Sequence, residues 1–300
     1  MVKFQMLVFA LCTNLLIVTT QSHGHVGKSK KHVPLFIFGD SIYDAGNNNY
    51  INTIGKANYW PYGETFFKSP TGRFSVGRII PDFIAGYAKL LLIQPYLKPD
   101  NHEFAYGVNF ASAGAGALTE TREGSKLGDE EVKALLSRAV YLFSIGSNDY
   151  VSPFETNSST LRSYSPEEYV GVVIRNITGV IRSISKSPGK SRERTRGIQY
   201  SFSEFHDFLK DRMDYPSKYG FEEGKVACCG SGRYNGILSC GGKRGVIEYE
   251  LCENVSEHVF FDSSHGTERL YQQFAKQFWS GVPANSTGPY SLKELFESNY

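Results

Sequence analysis

The sequence lacks a strong net charge, a long apolar run within its body, and any internal repeat. Its 32 basic and 30 acidic side chains nearly cancel over 300 residues, for a formal charge of +2, which excludes the broad basic surface that nucleic-acid binding needs. After the N-terminus no stretch reaches the roughly 18 consecutive apolar residues of a membrane span, so we expect no stable membrane anchor. The composition, 41% hydrophobic and 21% charged, is typical of a globular chain.

One short segment is densely basic, residues 186–196 (KSPGKSRERTR). It also contains a proline, a glycine and Glu193. This mixture is typical of a solvated loop and not of a nucleic-acid-binding patch, so we expect no nucleic-acid partner.

The N-terminus has the pattern of a secretory signal. Lys3 precedes an apolar stretch from Met6 to Val18, and small or polar residues follow from Thr19 to Ser22. A basic start, a short apolar core and a small-residue exit predict a cleaved signal peptide over residues 1–22. The apolar core is short for a membrane span, which makes an anchor the weaker alternative. A single domain is expected over residues 33–300.

Glycan acceptor triplets agree with export. Four Asn-x-Ser/Thr sequences occur, at Asn157, Asn176, Asn254 and Asn285. Each could be fortuitous, but together they favour a secreted glycoprotein.

Cysteine is scarce and clustered. Removal of the signal removes Cys12 and leaves Cys228, Cys229, Cys240 and Cys252. An even number of cysteines in an exported chain predicts two disulfides. Adjacent cysteines rarely bridge each other, so each of the first two is expected to pair with one of the last two. A zinc site is disfavoured because the usual C-x2-C spacing is absent.

Short apolar runs alternate with helical patterns along the chain. This alternation predicts an α/β sandwich with a mainly parallel sheet. The predicted strands are Leu35–Phe38, Tyr106–Ala111, Ala139–Ile145 and Gly197–Phe208; the predicted helices are Ile79–Leu92, Glu130–Arg138, one opening at Ser165–Pro166, and one from about Glu268 to Trp279.

Polar residues follow the apolar runs directly. Asp40-Ser41 comes after the first run, Asn148-Asp149 after another, and Asp262 to His265 after the apolar residues 259–261. Sites in such folds form at the carboxyl ends of the strands. We therefore expect the three clusters to meet at one edge of the sheet.

The residue types in these clusters are those of nucleophilic catalysis. A serine hydroxyl needs a base to take its proton, and His265 with Asp262 three residues earlier can act as that base and its orienting carboxylate. Ser41 is then the nucleophile. Donors for a developing oxyanion could be the Ser41 N–H, an N–H of the segment 112–117 (SAGAGA), and the Asn148 amide.

Four stretches of the chain carry a family resemblance: FIFGDSIYDAGNNNYI, YGVNFASAGAGAL, SIGSND and FFDSSHGTERLYQQFAKQFWSG. They are similar to the conserved blocks of the plant GDSL esterase/lipases, a branch of the SGNH hydrolases. The segment YPSKYGFEEGKVACCGSG is also typical of the plant branch. The resemblance extends over most of residues 34–295.

The resemblance implies a fold, a reaction and a set of roles. The implied fold is a three-layer α/β/α sandwich of the SGNH or flavodoxin-like type. The implied reaction is hydrolysis of carboxylic esters, often acyl lipids, on a small-molecule ester or lipid substrate, with no metal and no organic cofactor; it leaves the oligomeric state open. The implied site comprises Ser41 as nucleophile, His265 as base, Asp262 as its partner, Ser41, Gly114 and Asn148 as the oxyanion hole, and Asp44, Gly46 and Asn47–Asn49 as the loop that positions the nucleophile.

The chain departs from the family in length. The stretch after the glycine-rich block is reduced to Thr119–Gly128, and SPGKSRERTRG continues directly into IQYSFSEFHDFL, where the family has a further strand and helix. One strand–helix unit is therefore predicted to be missing. Either residues 198–208 take the vacated place, which could displace the Asp262–His265 turn by about 4.8 Å, or a gap remains. The alternative function is a catalytically inactive secreted glycoprotein that binds lipid or a partner.

Overall fold

The computed structural model describes residues 14–19, 32–99, 104–118, 139–155, 163–185, 199–284 and 286–298. The basic segment 186–196, the predicted helix Glu130–Arg138, Asn157, Asn285 and most of the predicted signal lie outside the described residues.

In the described ranges the chain alternates strands and helices, as expected for the α/β class. The strands are β1 (Asn14–Thr19), β2 (Leu35–Gly39), β3 (Gly107–Asn109), β4 (Val140–Ser144), β5 (Gln199–Glu204), β6 (Cys229–Gly230), β7 (Glu250–Leu251) and β8 (Gly288–Pro289). The α-helices are α1 (Ile80–Tyr87), α2 (Ser147–Glu155), α3 (Pro166–Ser185), α4 (Phe205–Asp214), α5 (Glu268–Ser280) and α6 (Leu292–Glu297).

The main sheet has the strand order β3-β2-β4-β1-β5-β8, and β6 pairs with β7 separately. β2 is parallel to β3 and β4. β1 is antiparallel to both β4 and β5, so β4 and β5 point the same way, and β8 is antiparallel to β5. Four of the six described strands therefore share one direction, which agrees with the predicted, mainly parallel sheet.

The position between β4 and β5 is occupied by β1, whose residues belong to the predicted signal peptide. Leu16 lies opposite Phe143 on one side and Phe202 on the other. Neither expected outcome of the shortened chain is found, because β5 does not become the neighbour of β4 and the sheet has no gap. If cleavage removes residues 1–22, this position empties.

The strands alternate between two apolar faces, as a period of two requires. Leu35 and Ile37 of β2 and Leu142 of β4 belong to a buried cluster with residues of α1, α4, α5 and α6. On the opposite face, Phe36 and Phe143 lie in a second, aromatic cluster. The described helices that cover the first face include α5, which directly follows the Asp262–His265 turn.

Two boundaries differ from the sequence prediction by more than the others do. The segment 197–208 was predicted as one strand, but β5 ends at Glu204 and α4 begins at Phe205. The ring centroids of Phe205 and Phe208 lie 4.9 and 5.0 Å from that of Phe274, so helical spacing buries both rings against α5. The predicted helix Ile79–Leu92 is also shorter, ending at Tyr87.

Phe274→Ala should destabilise the fold, because Phe274 is fully buried among the aromatic rings that join α4 to α5. We expect a loss of about 3–5 kcal/mol in the free energy of unfolding, measured by urea denaturation. Gln272→Ala, at an exposed position of the same helix, is the control and should change stability by about 0.5 kcal/mol or less. Equal stabilities of the two variants would contradict this packing.

Candidate active site

Ser41 lies immediately beyond the carboxyl end of β2. The N–H of Asp40 donates to the carbonyl of Ser144 at the end of β4. A Cβ added at Gly39 would lie 2.5 Å from that same carbonyl oxygen, so only glycine allows the two strand ends to approach this closely. The turn after Gly39 then presents the Ser41 side chain at the edge of the sheet, 2.8 Å from a histidine ring.

The histidine is His265, and its ring connects the serine to a buried carboxylate. Nδ1 of His265 lies 2.8 Å from Asp262 Oδ1 and 3.0 Å from Oδ2. With Nδ1–H donating to Asp262, Nε2 is left to accept from the Ser41 hydroxyl at 2.8 Å. Asp262 is fully buried and His265 is 5% exposed. The three side chains named from the sequence are thus brought into one hydrogen-bonded row.

The turn that carries Asp262 and His265 is fixed by its own backbone. Asp262 Oδ1 accepts from the N–H groups of Ser264 and His265, both at 2.9 Å. The Phe261 N–H donates to the carbonyl of His265, and Thr267 caps the start of α5. The turn therefore holds its shape independently of the strand that lies between β4 and β5.

Asp262 stays ionised in this environment. Burial alone would raise the pKa of its carboxyl, but the neighbouring His265 charge and hydrogen bonds from His265, Tyr62 and Ser264 outweigh burial and lower the pKa below its ordinary value. The hydroxyl of Tyr62 donates to Oδ2 at 2.6 Å. Sequence reasoning missed Tyr62, since it lies 200 residues from Asp262 in a loop without a recognisable pattern.

Asp44 ties the loop after Ser41 to the glycine-rich segment. Oδ1 accepts from the N–H groups of Gly46 at 2.7 Å and Asn47 at 2.6 Å. Oδ2 accepts from the N–H of Ala113 at 3.1 Å. One buried carboxylate thus fixes the nucleophile loop and the segment 112–117 relative to each other.

The asparagines that follow extend this connection. The Asn47 amide donates to the carbonyls of Asn109 and Ala111, each at 2.8 Å. The Asn48 amide donates to the carbonyl of Ala113 at 3.0 Å. These buried amides provide donors to the carbonyls of Ala111 and Ala113, while the carbonyl of Asn109 also accepts from the Tyr96 N–H.

Three groups are available as donors at this edge. Gly114 has φ +88° and is exposed, and among the described residues neither its N–H nor that of Ser41 donates to a protein acceptor. The Asn148 amide, at the start of α2, donates to the Ala115 carbonyl at 2.8 Å and has a second N–H. Asp149 accepts from the N–H groups of Ala117 and Leu118, which the sequence analysis did not anticipate.

Comparison with known proteins places the chain in a family. The family description GDSL-like Lipase/Acylhydrolase matches residues 35–278. The chain belongs to this GDSL family. GDSL esterase/lipase 1 of Arabidopsis thaliana is 46% identical over 338 positions, covering 88% of this chain and 90% of the relative.

Other GDSL relatives are similar over nearly their whole length. GDSL esterase/lipase 2 of Arabidopsis thaliana is 42% identical over 366 positions, covering 97% of both chains. GDSL lipase of Tanacetum cinerariifolium is 41% identical over 337 positions, covering 90% of this chain and 89% of the relative. Each alignment is longer than the 300 residues of this chain, so these relatives contain residues without a counterpart here. The location of the predicted missing unit stays a prediction.

The four cysteines of this GDSL chain that lie in the described residues form two disulfides, as predicted. Cys228 bonds to Cys252 and Cys229 to Cys240, which decides between the two pairings that the sequence left open. Asn176 and Asn254, two of the predicted glycan acceptors, are exposed. Among the described helices none is long and apolar enough to cross a membrane.

Asp40 of the GDSL motif is buried beside the row of catalytic candidates. Burial raises the pKa of its carboxyl from 3.8 to about 7, although a hydrogen bond from the Ile42 N–H and the His265 charge oppose the rise. Oδ2 is buried and, within the described part of the chain, accepts no hydrogen bond. A proton on Asp40 is therefore favoured by folding.

Asp40→Asn should flatten the pH dependence of stability. Asp40 loses its proton near pH 3.8 in the unfolded chain and near pH 7 in the folded protein. Its contribution to stability is therefore fully present only below pH 3.8. Between pH 3.8 and about 7 this contribution falls by up to about 1.4 kcal/mol for each pH unit. Urea unfolding at pH 5, 6, 7 and 8 measures it. Burial also raises the pKa of Asp44, to about 6. Because Asp44 is present in both the wild type and Asp40→Asn, its effect cancels in the difference between their stabilities. Parallel curves for the two proteins would contradict the assignment.

Proposed function

We propose that this protein is a serine hydrolase that cleaves carboxylic esters through an acyl-enzyme intermediate. The observation that carries the proposal is the 2.8 Å separation of Ser41 Oγ and His265 Nε2, with Asp262 on the other ring nitrogen. This is the spacing at which a base can take the serine proton. The names of the relatives, esterase/lipase and lipase, support the same class of reaction.

In the proposed first half-reaction, Ser41 Oγ attacks the ester carbonyl carbon while His265 Nε2 takes its proton. Asp262 stabilises the imidazolium without itself taking the proton. The carbonyl oxygen becomes an oxyanion, for which the N–H groups of Ser41 and Gly114 and the second amide N–H of Asn148 are the proposed donors. The tetrahedral intermediate expels the alcohol, which receives the proton from His265.

The second half-reaction uses the same groups on water. His265 deprotonates a water molecule, which attacks the acyl carbon on Ser41, and the same donors hold the second oxyanion. Collapse releases the carboxylic acid and returns the proton to Ser41 Oγ. In both half-reactions Ser41 or water is the nucleophile and His265 transfers the protons. The proposed chemistry therefore needs no metal or organic cofactor.

The proposed substrate is a small-molecule ester or acyl lipid, met outside the cell. The predicted signal over residues 1–22, the two disulfides and the exposed acceptors Asn176 and Asn254 support secretion of residues 33–300 as a glycoprotein. Disulfides of this kind form in oxidising compartments.

A fluorophosphonate probe should label wild-type protein at Ser41, since such probes react with a serine that a base has activated. Ser41→Ala should abolish labelling, and Ser41→Ala and His265→Gln should each lower kcat on p-nitrophenyl esters by about a thousandfold or more. Ser264→Ala, an exposed serine on the same turn, is the matched control and should retain both. If folded wild-type protein is not labelled by the probe, the proposal is wrong and the alternative of a catalytically inactive protein that binds lipid or a partner is favoured.

Expression in a eukaryotic host with a secretory pathway tests whether the protein is secreted. We expect the exported protein to lack residues 1–22 by intact mass, and glycosidase treatment to increase its electrophoretic mobility. Asn254→Gln and Asn176→Gln should each remove one glycan step, because both side chains are exposed. Protein retained in the cells with residues 1–22 in place would contradict the proposed secretion.

A further inference from the structure

Two side chains outside the row Ser41–His265–Asp262 continue it by hydrogen bonds. The Tyr62 hydroxyl donates to Asp262 Oδ2 at 2.6 Å and accepts from Arg244 Nη1 at 2.8 Å. Arg244 Nη2 donates to the carbonyl of Lys56 at 2.5 Å. The Tyr62 oxygen thus accepts from the Arg244 guanidinium, and the Tyr62 hydroxyl donates its proton to the Asp262 carboxylate.

The guanidinium of Arg244 is enclosed by aromatic rings. It lies 5.3 Å from the ring centroid of Tyr59, 5.1 Å from that of Tyr62 and 5.5 Å from that of Phe74. The Phe74 ring in turn lies 4.7 Å from the His265 ring. A cation held among aromatic faces in a partly desolvated site acts at longer range than one in water.

The disulfides explain how Arg244 reaches this position. Arg244 lies between Cys240, bonded to Cys229, and Cys252, bonded to Cys228. A Cβ added at Gly241 would lie 2.5 Å from the carbonyl oxygen of Trp60, so the backbone of this loop packs directly on the segment that carries Tyr62. The loop closed by the two disulfides therefore places the Arg244 side chain next to Tyr62, whose hydroxyl donates to Asp262.

We propose that Tyr62 and Arg244 are positioning residues of the active site, which hold Asp262 in place as a carboxylate and limit how strongly it attracts a proton onto His265. The inference rests on the proposed esterase function. A hydrogen bond and a nearby cation both stabilise the negative charge of Asp262. Their removal should leave the carboxylate less well oriented and should raise the pKa of Asp262, because the Tyr62 hydrogen bond lowers it, so the carboxylate should attract the proton on the imidazole more strongly.

Three other groups interact electrostatically with Asp262 or His265: Asp40 on the strand exit, Tyr59 beside Tyr62, and Tyr271 on α5. All three remain unchanged in the Tyr62 and Arg244 variants, and the effect of Tyr59 is measured separately with its own variant. A change confined to Tyr62 or Arg244 variants is therefore not attributable to these groups.

Tyr62→Phe removes one oxygen from the row, and Tyr59→Phe is its matched control. The Tyr59 hydroxyl is buried and, in the described structure, has no hydrogen-bond partner, while its ring contacts both Tyr62 and Arg244. On a soluble p-nitrophenyl ester we expect Tyr62→Phe to lower kcat about tenfold with little change in KM. The acidic limb of the kcat/KM profile should move up by about half a pH unit or more. Tyr59→Phe should leave both unchanged.

Arg244→Met and Arg244→Lys give a second, independent pair, which serves if Tyr62→Phe does not fold. The methionine variant should move the acidic limb in the same direction, and the lysine variant, which keeps the charge, should restore most of that shift. A purely structural role would lower the melting temperature of the methionine variant and leave the acidic limb where it is.

A spectroscopic measurement separates failure of this inference from failure of the proposed function. Among the seven histidines, His265 is identified in ring ¹H–¹⁵N spectra by its loss in His265→Gln. Its ring signals should shift in Tyr62→Phe and not in Tyr59→Phe, whether or not the protein turns over esters. Wild-type protein without esterase activity would overturn the proposed function alone. Indistinguishable spectra and pH profiles for the two phenylalanine variants would overturn the positioning role.

Discussion

A buried negative charge on Asp262 is the interaction on which the catalytic edge depends. An ionised carboxylate with no exposed surface is costly unless several donors surround it. Here the ring of His265, two backbone N–H groups of its own turn and the Tyr62 hydroxyl supply them. These same contacts orient the histidine ring toward Ser41. The charge is therefore both the reason the turn keeps its shape and the reason the His265 ring faces Ser41.

The sheet makes this arrangement possible by bringing distant segments to one edge. β2 leads into Ser41, β3 leads into the segment 112–117, and β4 leads into Asn148. Because the three strands run parallel side by side, their carboxyl ends meet, as expected for open α/β sheets. The Asp262–His265 turn lies at this edge directly before the start of α5, which packs on the face of the same sheet.

Much of this could be predicted from the sequence, since short apolar strands ending in Asp-Ser or Asn-Asp point to a shared edge. Local patterns indicated the serine, the histidine, the carboxylate and the oxyanion donors, and the family resemblance selected Gly114 within residues 112–117. Tyr62 and Arg244 had no such signal, because each acts only through a partner about 180–200 residues away. Helix α4 was misread because the apolar residues of 197–208 fit a strand until the contact of Phe205 and Phe208 with α5 is known.

The position of β1 was equally beyond prediction, since residues 14–19 read as part of a leader. That segment lies on the far side of β4 from β2 and pairs with β4 and β5. None of the hydrogen bonds among Ser41, His265 and Asp262 involves it. The predicted missing unit and cleavage of the predicted leader would therefore affect first the half of the sheet that contains β5, whereas Ser41 belongs to the other half.

The double attachment of Asp44 has an evolutionary consequence. One carboxylate binds the N–H groups of both Gly46 and Ala113. A change in the backbone position of the segment that carries Ser41 therefore requires a matching change in the segment that carries Gly114, a proposed oxyanion donor. Natural variants that accept acyl groups of different bulk would therefore be expected to diverge in surrounding loops, and to leave this shared anchor untouched.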